Sequence, residues 1–105
     1  MSTKDSLNMI TCIVQRGEAD KVVDAALEAG AEGATIYYAR GRGVREKLGL
    51  SKWLIRPEKE VIIIVTRPQE TDDVFDAIVQ AGRLDKKGMG FALLHKVDRA
   101  IGFIS

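Results

Sequence analysis

A chain of 105 residues carries enough material for one domain and its core, and none to spare for a second. With 46% hydrophobic and 30% charged residues and a net charge of +1, it fits a soluble globular protein. No apolar run reaches the ~18 residues that a membrane span needs, and the polar opening Met1-Ser2-Thr3-Lys4-Asp5 does not read as a signal peptide. The expected location is therefore cytoplasmic. One cysteine excludes an internal disulfide, and one cysteine with one histidine leaves no metal-ligand cluster. Cys12 lies within an apolar run and reads as a buried, inert thiol.

In chain order, Met9 to Val14 predicts a first strand, rich in β-branched residues. Glu18 to Ala29 predicts a helix, because Val22, Val23, Ala26 and Leu27 recur at three- and four-residue spacing. Gly30 follows as its C-terminal cap. Ala34 to Arg40 is the second strand, and Val61 to Val65 the third. Thr66 and Gln69 have capping-box spacing around Pro68, and the helix they open runs through Ala81 with Val74, Phe75, Ile78 and Val79 on one face. Gly82 to Gly90 reads as a loop, Phe91 to Leu94 as a fourth strand, and the residues from Val97 onward have no clear assignment.

Between strands 2 and 3 the chain breaks at Gly41-Arg42-Gly43 and runs to Pro57 without a period of 2 or 3.6. Unstructured connections longer than ~12–15 residues are uncommon unless functional or disordered. Five cations in this stretch, Arg42, Arg45, Lys47, Lys52 and Arg56, face a single acid, Glu46, for a net +4. The rest of the chain is therefore −3. Leu48, Leu50, Trp53, Leu54 and Ile55 add apolar area, and Trp53 reads either as an interface anchor or as a side chain folded back on its own subunit.

The order β-α-β-β-α-β is the split βαβ, ferredoxin-like pattern within a single domain, 1–105. Right-handed crossovers place both helices on one face of a four-stranded antiparallel sheet ordered 4-1-3-2. Strands 1 and 3 are expected to run parallel, with 2 and 4 against them. That puts Gly41-Arg42-Gly43 at the opposite end of the sheet from Gly88-Met89-Gly90, so the two corners would meet only between subunits. Turns of this kind form anion-binding concavities, and Arg42 and Arg45 can pair with phosphate. Val61 to Val65 is apolar toward both faces, so the uncovered face predicts an oligomer packed sheet against sheet.

Four features in order carry a resemblance to the PII (nitrogen regulatory) signal-transduction superfamily. They are Gly30-Ala31-Glu32-Gly33-Ala34-Thr35, Gly41-Arg42-Gly43 opening a long loop, Pro57 with Val61 to Val65 closing it, and Gly88-Met89-Gly90 before strand 4. The similarity spans Ile10 to about Ile101. It implies a homotrimer of ferredoxin-like subunits with an effector site between them, where an adenine nucleotide (ADP, AMP or ATP) binds. The residues implied are Ile13, Thr35, Gly41, Arg42, Gly43, Arg45, Ile64, Gly88, Met89 and Gly90. The long segment, 41–57, would be the T-loop, which docks on a membrane transporter or an enzyme through residues 44–57, with Arg45, Lys47, Leu48 and Trp53.

The chain also departs from that pattern. Phe91 stands where typical members have a phosphate-binding lysine, and Gly102 and Ile104 where they have two arginines. Glu58 aligns with the lysine that closes the loop, with Lys59 one residue on. No tyrosine lies between Arg42 and Arg56. The resemblance is thus to a divergent, PII-like member, whose nucleotide binding would be weaker or would use Arg40, Arg42 and Arg45 instead.

Other signals resolve to structure. His95 has no acid or nucleophile at a recognisable spacing and reads as a core or interface residue. Glu18 and Asp72-Asp73 complement helix dipoles. A single loop aromatic, Trp53, does not make a nucleic-acid stacking set. No acid–base or nucleophile constellation suggests an enzyme. The alternative of another class is a CutA-like trimeric scaffold or metal-tolerance protein of the same fold, against which the single His and Cys and the basic loop argue.

Overall fold

In a computed structural model of the chain, residues 6–41 and 57–103 are described. Strands β1 (Leu7–Gln15), β2 (Thr35–Arg40), β3 (Glu58–Thr66) and β4 (Gly90–Val97) form one sheet, ordered β2-β3-β1-β4. Helices α1 (Ala19–Glu28) and α2 (Pro68–Gly82) pack on one face of it. The element order and the sheet order agree with the sequence reading. Strands β1, β3 and β4 are longer than their apolar runs, because ladder hydrogen bonds continue through polar residues such as Gln15, Lys59 and Lys96.

The core lies between the helices and the helix-facing side of the central strands. Ile10, Cys12 and Val14 of β1 and Ile62 and Ile64 of β3 meet Val22 and Ala26 of α1 and Val74 and Ile78 of α2, all at most 1% exposed. Burial pushes the Cys12 thiol from 9.0 up to about 11, so it stays protonated and unreactive at neutral pH. On the other face the register aligns Tyr37, Val61, Ile13 and Phe91 in one row and Thr35, Ile63, Thr11 and Leu93 in the next. Tyr37, Phe91 and Leu93 are each about half exposed. His95, opposite Met9, is exposed on this same face rather than in the core.

Both helices end in Schellman turns. After α1, Gly30 takes φ +121°, its N–H bonds Leu27 O and the Ala31 N–H bonds Ala26 O. After α2 the left-handed residue is Arg83, one position beyond Gly82. The capping box also falls one residue later than the sequence spacing predicts. Pro68 is the first helical residue, so Arg67 is the cap, and its N–H bonds Glu70 Oε2 at 3.2 Å. Thr66 is instead the buried last residue of β3.

One expectation is overturned. β1 and β3 are antiparallel, with Asn8 opposite Thr66 and Gln15 opposite Lys59. The crossover through α1 makes β2 parallel to β1, and the β2–β3 reversal then turns β3 against both. β4 runs with β3, its first residue Gly90 opposite Val14. Gly41 and Gly88-Met89-Gly90 therefore lie at the same end of the sheet, on opposite edges, not at opposite ends. No described helix is long and apolar enough to cross a membrane.

Candidate functional site

Three connections gather at the end of the sheet where β1 finishes: Arg16 to Glu18, the β2–β3 link with its ends at Gly41 and Pro57, and the turn into β4 at Gly88-Met89-Gly90. The β4 corner is a glycine geometry by necessity. Gly88 has φ +82° and Gly90 φ +135°. A Cβ on Gly90 would fall 2.1 Å from the Ile13 carbonyl oxygen, so the turn lies directly on the β1 backbone. Lys86, Lys87 and Arg83, exposed just before it, make its surroundings electropositive against the single acid Asp85.

At the β2 corner the Gly41 N–H bonds Pro57 O at 2.8 Å, which closes the base of the 42–56 segment. A Cβ on Gly41 would stand 3.2 Å from Lys59 Cε, so the lysine stem packs against that glycine. Lys59 Nζ donates to Gln15 Oε1 at 3.0 Å, and Gln15 Nε2 donates to Gly88 O at 2.8 Å. Side chains from the two central strands thus span the distance between the corners.

Beside them sits Glu60, 8% exposed on the helix-facing side of β3. Its Oε1 accepts from Gly17 N at 2.8 Å and Ala19 N at 3.0 Å. The first amides of α1 are therefore capped by a residue 41 positions away in sequence, while Glu18, at the cap position, makes no side-chain cap bond. Arg16 lies 4.7 Å from the centroid of the Tyr38 ring, which joins the β1–α1 turn to the β2 edge.

The residues singled out in the sequence divide into groups. Gly41, Gly88, Met89, Gly90 and Ile13 belong to the loop end, Ile13 half-buried between Val61 and Phe91. Arg40 is exposed opposite Glu58 at the same end. Thr35 opens β2 opposite Ile63, about 20 Å along the strand from Gly41. The Ile64 side chain is in the core at 1% exposure, so it cannot meet a ligand. Pairing between β2 and β3 stops at Thr35 and Ile63, one residue short of Ile64. Arg42, Gly43, Arg45, Lys47, Leu48 and Trp53 lie outside the described residues. Sequence reading missed Gln15 and Glu60. Nothing marks Gln15, a polar residue ending an apolar strand. Glu60 did leave a signal, because an acid in step with Ile62 and Ile64 faces the core and needs buried donors.

Comparison with solved structures finds a likeness to PII of Arabidopsis thaliana bound to citrate, with a TM-score of 0.67 and 22% identity over 89% of this chain and 78% of that one. At that identity the likeness carries the fold. A comparison with curated proteins finds no match. Residues 7–101 match the family described as Nitrogen regulatory protein P-II. That match covers both glycine corners, all four strands and both helices, and the chain belongs to the P-II family.

Proposed function

We propose that this protein is a P-II-type regulator and not an enzyme: a cytoplasmic homotrimer that binds a small anionic effector at subunit boundaries and reports it through the 44–57 segment. The observation that carries this reading is the gathering of Gly41 and Gly88-Met89-Gly90 at one end of the sheet, on its two exposed edges. Thr35 on β2 and Ile64 on β3 lie too far along their strands to join that corner within one subunit, so on this reading a complete site draws on two. Apolar rows on the open face supply a reason to assemble, since Tyr37, Phe91 and Leu93 stay about half exposed in a single chain.

The effector we favour is an adenine nucleotide, with Ile13 against the base and Arg42, Gly43 and Arg45 joining the backbone amides of the corners. The citrate on the Arabidopsis protein fits the broader class of small multiply charged anions. Phe91 and Gly102 provide no cation for terminal phosphates. ADP or AMP should therefore bind at least as tightly as ATP. Arg45, Lys47, Leu48 and Trp53 would dock on a transporter or enzyme, charge steering the encounter and apolar area holding the complex.

Titration calorimetry with ADP, AMP, ATP and citrate, alongside sedimentation at micromolar concentration, tests both halves. The expected result is a species of three chains that binds ADP or AMP as well as ATP or better. An 11.5 kDa species, or no heat with any of the four anions, overturns the reading.

A further inference from the structure

The two glycine corners occupy opposite edges of a four-stranded sheet, three strand spacings or roughly 14 Å apart. Gln15 and Lys59, on the two strands between them, bridge that gap. The Gln15 amide uses both of its ends, Nε2 on the Gly88 carbonyl and Oε1 on the Lys59 ammonium. It cannot reverse without placing donor against donor and acceptor against acceptor, so its orientation is fixed by both corners at once. On the far side of Lys59, the stem packs on Gly41, whose N–H makes the closing bond to Pro57 O.

We propose that Gln15 and Lys59 are positioning residues that couple the Gly88–Gly90 corner to the Gly41–Pro57 closure. The inference rests on the effector reading only for what triggers the coupling. An anion at the Gly88 corner offers Lys59 a charged acceptor, and a charge-assisted bond is roughly twice as strong as one to a neutral amide. Lys59 would then leave Gln15 and lift its stem from Gly41. Coupling of this kind is reciprocal, so whatever loosens the Gly41 side must also loosen the Gly88 side.

Reciprocity makes the coupling testable without any ligand, by amide hydrogen exchange in the full chain. Lys59→Met keeps the stem and removes the ammonium. Gln15→Met keeps the length and removes the amide contacts to Gly88 and Lys59. Lys59→Met should speed exchange at Met89, on the far side of Gln15, and Gln15→Met should speed it at Gly41. Each change should be about fivefold, the scale of one net hydrogen bond, with the thermal midpoint close to that of the parent. If Lys59→Met alters exchange near Gly41 alone and leaves Met89 as in the parent, the contacts are local and the coupling is refuted. ADP added to the parent should shift exchange at Gly41, and should not do so in Gln15→Met. Failure of ADP to bind the parent would count against the effector reading, while the ligand-free comparison would still decide this one.

Discussion

At the end of the sheet where β3 runs into α2, Asn8, Thr66 and Thr71 meet through short reaches: Asn8 Nδ2 to Thr71 Oγ1 at 2.9 Å, and Thr66 Oγ1 to Thr71 Oγ1 at 2.8 Å. Thr71 gives its one hydroxyl proton to Arg67 O at 2.7 Å, so both contacts must be donated to it, by the Asn8 amide and the Thr66 hydroxyl. Nothing there can rotate without leaving a buried group unpaired. At the loop end the corners are glycines, and the groups between them are a glutamine and a lysine with several rotatable bonds each. Short hydroxyls fix a junction once. Long side chains over permissive backbone can exchange one partner for another at little strain, which suits the end where a ligand is to be read.

The loop end is least tolerant of change at Gly90, where β4 lies directly on the β1 backbone. Gly90→Ala sets a Cβ against the Ile13 carbonyl at a φ that side chains rarely adopt, and backbone on both sides leaves nowhere to move. A loss of more than about 3 kcal/mol is expected from such a clash, read as the shift of a denaturation midpoint. A mild loss would mean that the start of β4 peels from β1 freely, and that the corner is not held as described.

Thr71→Val attacks the other end and should cost about 2 kcal/mol, because it strands the buried Thr66 hydroxyl and the Asn8 amide. Adding Thr66→Val should recover part of that loss, since removing both partners of a hydrogen bond is far cheaper than removing one. Equilibrium unfolding of the two singles and the double measures the coupling. Additive losses would show that the hydroxyls do not act on one another.

How legible these ends were follows from what holds them. Strand order and helices could be read because apolar spacing records which side of an element is buried: Ile10, Cys12 and Val14 alternate, and Val74 and Ile78 lie one turn apart. The direction of β3 was equally present, in the parallel β1 and β2 that a helical crossover requires, and the expectation of parallel β1 and β3 failed on that step. The capping box slipped by one because Pro68 was not used to fix the first helical position. The contacts of Gln15 with Gly88 and Lys59 are different in kind. They join residues 44 and 73 positions apart, and no local pattern marks a side chain that packs across strands.

The ends of the two helices give the smallest and cleanest test. Each closes in the same Schellman turn, but α1 places Gly30 in the left-handed position and α2 places Arg83 there, at φ 53°. Gly82, the residue whose type suits that position, lies one step early. It is buried instead, where a Cβ would press to 3.1 Å on Leu84 Cδ2 and 3.4 Å on Val22 Cγ2. The glycine thus serves the contact between helices, and the conformational strain passes to the arginine. A left-handed residue with a side chain costs about 1–2 kcal/mol, and glycine returns part of that through the freedom it adds to the unfolded chain. Arg83→Gly should therefore stabilise the protein by about 0.5 kcal/mol, or about 2–4 °C in thermal midpoint. Gly30→Ala, the opposite exchange at φ +121°, should destabilise by more than that. If Arg83→Gly instead lowers the midpoint, the arginine side chain offsets its own strain, and the loop end owes part of its stability to the charge it presents.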